Sequence, residues 1–348
     1  MSIFSNKKLV TPETHAEVID EIVACEGYDI TLGGHYDAIM ESYDDDFAII
    51  EAMHAYEMAE LEAMKESGSE EAATPGMKEK LKATWDKIVE FVKKLGQRLM
   101  AFFKSAYEYI LTMGTSNAAF VKKYKERLTK LDLAGFPAYE MYDYNLDAFD
   151  KDLGVLNKYS DTSKAFIDKI ASRLEIGEND YNTMHATLAK EIDEMRYAKA
   201  DELRKELAGD ADKFAEALFK KFRKGGAKKS VNVSNLNEYI KFLETDAPNY
   251  VKDVKAAQDK VKTEFNDLYK YVNKAASESL KAGADGKMLR DGARKAGLMR
   301  STLNMHSSIR SVYNQYVNAW SAAIKEASVS YKGLCIRALS YKKPEEAK

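Results

Sequence analysis

Nine apolar residues, Leu81, Trp85, Ile88, Val92, Leu95, Leu99, Phe102, Ala106 and Ile110, recur at spacings of 4, 3, 4, 3, 4, 3, 4 and 4. An α-helix places such a series on one face, so the run predicts a continuous amphipathic helix of about 30 residues. Phe91, Phe103 and Tyr107 widen the stripe, while Lys78, Lys80, Lys82, Lys87, Lys93, Lys94, Arg98 and Lys104 occupy the other face against Glu79, Asp86, Glu90 and Glu108. A stripe of this width has to be covered. Two environments accept it: the faces of other amphipathic helices, or the interface of a lipid bilayer, for which aromatics on one side and Lys/Arg on the other are the right ingredients. The number of other amphipathic segments favours a helical core. If the helix acts at a surface instead, Trp85, Ile88, Val92, Leu95, Leu99 and Phe102 form the membrane-facing or partner-facing set.

The rest of the 348 residues supplies those segments. Residues 117–134 read as a second basic helix ended by Gly135-Phe136-Pro137, and helical patterns resume over 146–157, 162–176 and 179–224, the last broken near Gly209-Asp210. A short helix over 235–245 ends before Pro248, and two long ones follow over 249–281 and 301–341. In the last, Ile309, Val312, Tyr316, Trp320, Ile324, Ala327, Tyr331 and Leu334 share a face. Tyr139 to Asn145 reads as a connecting loop or helix start, and Ser230 to Ser234 as the one short extended piece. The expectation is an all-α, multi-helix bundle with several long amphipathic helices and an acidic N-terminal segment.

Charge divides the chain at Pro75. Residues 1–75 hold 18 Asp and Glu against three Lys, a net of −15, so the remainder carries +12 beneath an overall −3. Such a division implies an acidic segment that neutralises a basic body, or two surfaces with different partners. The expected organisation is an acidic segment over 1–66 with a break at Gly33-Gly34 and a helix-like acidic run from Asp46 to Lys65, then an exposed linker over 67–77. A basic amphipathic region over 78–136 and a helical body over 137–348 follow. The linker, rich in Ser, Gly, Ala and Glu, is an accessible target for a protease, with Glu71 the candidate cleavage site.

Catalysis finds little support. The five histidines are scattered without an HExxH pair, Cys25 and Cys335 lie at opposite ends of the chain, and Gly283 to Lys287 is too short between its glycines for a phosphate-binding loop. Neither enzyme activity, a metal nor a cofactor is expected. No run of 18 apolar residues spans a bilayer and no apolar leader opens the chain, so synthesis and folding in a cytoplasm are expected. Basic clusters are more suggestive. Lys220, Lys221, Arg223, Lys224, Lys228 and Lys229 surround Gly225-Gly226, and Lys287, Arg290, Arg294, Lys295 and Arg300 are interspersed with glycines. Either could engage phosphates without reading bases.

An acidic first segment, a Ser69-Glu70-Glu71 junction and a basic helical body opening with Trp85 to Leu95 together resemble the internal head proteins of large tailed bacteriophages. The resemblance implies a non-enzymatic virion protein, made in the host cytoplasm and held inside the capsid. It further implies other virion proteins and packaged DNA as partners, trimming by a prohead protease, and exposure to a membrane during ejection. An acidic propeptide would mask the basic body, and its removal would expose positive charge beside DNA. The alternative is a membrane-active helical protein, pore-like or toxin-like, working through residues 81–110.

Overall fold

The computed structural model describes residues 76–147, 149, 151–159, 161, 165, 181–231, 236–280 and 286–341. The acidic segment, its helix-like run and the Glu71 junction lie outside them, as does nearly all of the helix expected over 162–176. Helix α1 (Met77–Thr129) leads to strand β1 (Tyr139–Tyr142), followed by a helical stretch over 151–159, α2 (Tyr181–Ala208), α3 (Phe214–Phe222) and strand β2 (Lys228–Val231). Then come α4 (Leu236–Lys241), a π-helical turn (Phe242–Asp246), α5 (Ala247–Ser279) and α6 (Gly286–Leu339). The protein is a mostly helical multi-helix bundle with long helices. It also contains a two-stranded ribbon that the all-α expectation lacked.

α1 and α6 run parallel in a constant register. Gly292 lies against Leu81, the Phe103 and Tyr313 rings meet edge-on at 5.8 Å, and Asn117 donates to Ser328 Oγ at 3.0 Å. α5 runs antiparallel to both. Gly114 of α1 faces Pro248 and Gly96 faces Phe265, while Phe265 meets His306 at 5.7 Å and Tyr250 meets Trp320 at 5.1 Å on α6. α2 and α3 pack on the remaining side of α6. The last helix in the sequence is therefore enclosed, and Val312, Tyr316, Val317, Trp320, Ala323, Ile324 and Ala327 are wholly buried.

The α1 stripe is buried from end to end: no residue from Leu81 to Ile110 in the nine-residue series is more than 5% exposed. At roughly 1.5–3 kcal/mol for each large side chain, uncovering it costs on the order of 15 kcal/mol, as much as a whole domain's stability. The face proposed for a membrane or partner is filled by α5 and α6. Presenting Trp85, Ile88, Val92, Leu95, Leu99 and Phe102 to anything else means taking the bundle apart.

Three boundaries differ from the sequence reading. The two basic helices expected over 81–110 and 117–134 are one helix of 53 residues. The helix continues through Thr112, Gly114, Thr115 and Ser116, and Gly114 admits the α5 backbone closely: a Cβ there would sit 3.3 Å from Pro248 Cα. The short helix before Pro248 does not end. Phe242–Asp246 widens into a π turn, Ala247 N–H bonds back to Phe242, and Pro248, which has no N–H to give, falls in the first turn of α5. α6 begins at Gly286, fifteen residues before its expected start at 301. Tyr139–Tyr142 is a strand, correcting the loop reading. It pairs antiparallel with Lys228–Val231, Tyr142 opposite Lys228, which absorbs the first half of the extended piece expected at Ser230 to Ser234.

Polar groups punctuate the interior of α6. Arg310 and Glu264 of α5 form a buried ion pair, and desolvation lowers the Arg310 pKa to about 10. One turn earlier, buried His306 has its pKa lowered to about 4 by desolvation. The folded state holds it neutral, whereas the unfolded chain takes up the proton below about pH 6.5. Stability from this group is complete above pH 6.5 and falls as the pH approaches 4, by about 3 kcal/mol. The unfolding free energy of His306→Leu, measured in urea across pH 4–6.5, should fall less steeply with acidification than that of the parent chain. At Gly114, Ala gains up to about 1 kcal/mol of helix propensity against a tight contact, so the urea midpoint of Gly114→Ala stays near the parent value. Gly114→Leu has to push α5 away and should lose about 2 kcal/mol.

Candidate polyanion interface

The loop expected to display six positive charges is built by a sharp reversal. After α3, Lys224, Gly225 and Gly226 take φ values of 35°, 98° and 78°, and a left-handed run of this kind needs its glycines. The turn brings β2 alongside β1, and Asn145 N–H bonds to Phe222 O at 2.9 Å. The whole excursion from 143 to 227 thus leaves and returns through the ribbon.

Charge in this loop is largely answered within the chain. Lys221 Nζ lies 2.5 Å from the carboxylate of Asp152, which is buried and also accepts from the Tyr316 hydroxyl, and Lys221 further donates to Leu207 O. Burial, and after it the hydrogen bond and charge of Asp152, push the Tyr316 hydroxyl far above its ordinary range. Arg223 donates from Nε to Glu326 at 2.7 Å and stacks 4.0 Å over the Phe219 ring. Lys224 and Lys229 both reach Asp143, at 2.7 and 3.5 Å, Lys220 pairs with Glu216 at 2.7 Å, and Lys228 lies 5.5 Å over Tyr142. The hydrogen bond and charge of Lys220 hold the Glu216 carboxyl below its usual pKa.

These pairs divide into two kinds. Asp152 with Lys221, and Arg223 with Glu326, are largely withdrawn from water and tie the loop to the 151–159 stretch and to α6. They anchor it. Lys220, Lys224, Lys228 and Lys229 are exposed, and exposed ion pairs are worth at most about 1 kcal/mol, so a phosphate can compete for them. The charges were readable in the sequence, but Asp143, Asp152 and Glu326, the carboxylates that decide their fate, were not singled out there. Asp143 sits among the tyrosines of the 139–145 run. Asp152 and Glu326 carry no local signal at all.

The second cluster is placed differently. Lys287, Arg290, Arg294 and Lys295 occupy the first three turns of α6, and Gly292 among them faces Leu81 of α1 and Ser279 of α5. This end of the bundle also holds Lys78, Lys80 and Lys82, all exposed on the first turns of α1. Over their lengths α1 carries 12 Lys and Arg against five acids, and α6 nine against two. On α1, Lys87 and Lys94 share Glu90, Lys104 meets Glu108, and Lys125 reaches Glu244 at 2.6 Å, while Lys82, Lys93 and Lys122 are exposed between them.

Among the described residues no group of three or more His, Cys, Asp and Glu is disposed to hold a metal, and no helix is long and apolar enough to cross a membrane. The Cys335 thiol is buried in α6, and desolvation pushes its pKa up to about 12. No family model, curated protein or solved structure matches the chain. The candidate interface is described by its own chemistry: exposed ammonium groups, Lys220, Lys224, Lys228 and Lys229 among them, on a helical frame.

The two kinds of ion pair make a direct prediction. Asp152→Ala strands a half-buried ammonium and should lower the unfolding free energy by about 3 kcal/mol. Asp143→Ala should change it by less than about 1 kcal/mol, both read from urea midpoints.

Proposed function

We propose that this chain is a non-enzymatic structural protein whose basic helical body binds a polyanion, with an acidic first segment as its detachable counter-charge. One observation carries the reading: 18 acids against three lysines before Pro75, and a net +12 after it, much of which lies on α1 and α6. The resemblance to internal head proteins of tailed phages gives the polyanion an identity, DNA packaged in a capsid. It also gives the segment a fate, cleavage near Glu71 by a prohead protease, with other virion proteins as neighbours. In this reading the working parts are the helical bundle and its two-stranded ribbon, with the acidic segment as a separate arm. Lys220, Lys224, Lys228 and Lys229 contact phosphate, together with Lys287, Arg290, Arg294 and Lys295, while Lys221 and Arg223 hold the first of these patches in place.

The membrane-active alternative has a steeper requirement, since its face is the packed core of α1. Vesicle binding by the intact chain that Phe102→Glu abolishes, with duplex binding unchanged, would favour it.

A mobility-shift titration of duplex DNA with residues 1–348 and with residues 72–348 tests the main reading. Removal of the segment should tighten binding at least tenfold. The logarithm of affinity should fall with the logarithm of salt at a slope of about −0.9 for each phosphate neutralised. Equal affinities for the two forms, or no shift with either, would overturn it.

A further inference from the structure

α3 turns three large side chains, Phe214, Leu218 and Phe222, into the interior, and Phe219 falls outside that buried face. The core does not need a ring there, yet Phe219 is 38% exposed, one of three large apolar residues so placed among the described residues. Its neighbours fix it in one orientation. Arg223, one turn further on, lays its guanidinium 4.0 Å over the ring, and Tyr142 of β1 meets it edge-on at 5.9 Å. Gly226 brings the loop backbone so near that a Cβ on it would sit 3.3 Å from Phe219 Cε1. Arg223 is itself held by Glu326 of α6. A preset aromatic surface therefore stands open to water where α3, the glycine turn and the ribbon meet.

Ammonium groups border it. Lys220 follows Phe219 directly, Lys224 lies in the turn, and Lys228 lies 5.5 Å over the Tyr142 ring and meets no carboxylate among the described residues. Lys224 and Lys229 share Asp143, and Lys220 pairs with Glu216, each pair open to water. With exposed Glu140, two residues before Tyr142 on the same ribbon face, four ammonium groups stand against three carboxylates. Charge alone does not single out this corner. The ring does, because a polyanion with unpaired bases gains a stacking surface here, whereas the bases of a duplex are already stacked on one another.

We propose that this corner binds single-stranded nucleic acid, one base stacking on Phe219 while neighbouring phosphates take Lys220, Lys224 and Lys228. The proposal rests on the polyanion reading for its phosphate contacts and goes beyond it by assigning a base-binding residue and a ligand with unpaired bases. Lys228 reaches a phosphate without leaving a carboxylate, and Lys224 leaves Asp143 to Lys229 when it does so. Because Arg223, Tyr142 and Gly226 already hold the ring, a base can stack without a side chain having to be ordered first.

Fluorescence anisotropy on the full chain tests the site, with an oligothymidylate of about 16 nucleotides and a duplex at one salt concentration. Phe219→Ala should weaken oligothymidylate binding about tenfold and change duplex binding less than about twofold. Tyr269→Ala, which removes an exposed ring on α5, should change neither. Phe219→Trp should keep the affinity and show indole quenching on binding, a signal free of the two native tryptophans because Trp85 and Trp320 are fully buried. Equal loss of both ligands in Phe219→Ala, an equal loss in Tyr269→Ala, unquenched emission at saturation, or no oligothymidylate binding by the parent chain would overturn the site. Duplex binding is scored separately. Duplex binding without a stack at Phe219 sustains the polyanion reading and removes this site, whereas a Phe219-dependent oligothymidylate complex without duplex binding keeps the site and removes the duplex as ligand.

Discussion

Everything in this bundle depends on the enclosure of α6. A helix of 54 residues that is buried on nearly every side over most of its length cannot rest on a surface, so α1 and α5 flank it, and α2 and α3 close the other side. That arrangement decides which faces of the other helices are inward. It also explains why several polar groups of α6 find their partners on neighbouring elements. Arg310 finds Glu264, Tyr316 finds Asp152, Lys332 donates to Ser116 Oγ at 2.8 Å, and Trp320 Nε1 donates to Leu146 O at 3.2 Å. Each of these contacts fixes the rotation of a neighbouring element about α6, as apolar packing alone does not.

The ribbon and its turn are the price of covering α6 on its far side. The chain has to leave the three long helices after α1, lay α2 and α3 on α6 and return in time to start α4. β1 and β2 close that excursion, and Lys221 and Arg223 bolt the returning turn to the interior. A patch that reads as a charged display is therefore half display and half fastening, and only the outer half is exposed.

Much of the helical content was legible because the apolar period was strong. The stripe from Leu81 to Ile110 and the face from Ile309 to Leu334 were read correctly, and Gly209-Asp210 does separate α2 from α3. The misreadings share one cause, which is that local residue preferences yield to contacts with distant residues. The helices expected over 81–110 and 117–134 join through Gly114, which has Pro248 opposite it, and Pro248 reads as a stop until the π turn absorbs its missing N–H. Tyr139–Tyr142 is a strand because Lys228–Val231 pairs with it, from 86 to 92 positions away. Of the candidate interface, the bases were visible and their carboxylate partners were not, since Asp152 and Glu326 become neighbours only through the fold. The convergence of the Lys287–Lys295 cluster with the start of α1 was likewise invisible, being set by one glycine contact.

The constant register between α1 and α6 also has a consequence in time. Phe103 meets Tyr313 and Asn117 meets Ser328, so each contact joins positions about 210 residues apart. A ribosome adding 5–20 residues per second needs roughly 10–40 s to make that stretch. Throughout this interval the Leu81–Ile110 stripe exists without its partner α6, and among the described helices that cover it α5 is made before α6. Late assembly of this kind gives the nascent chain a window of exposure to aggregation, which the finished bundle no longer betrays.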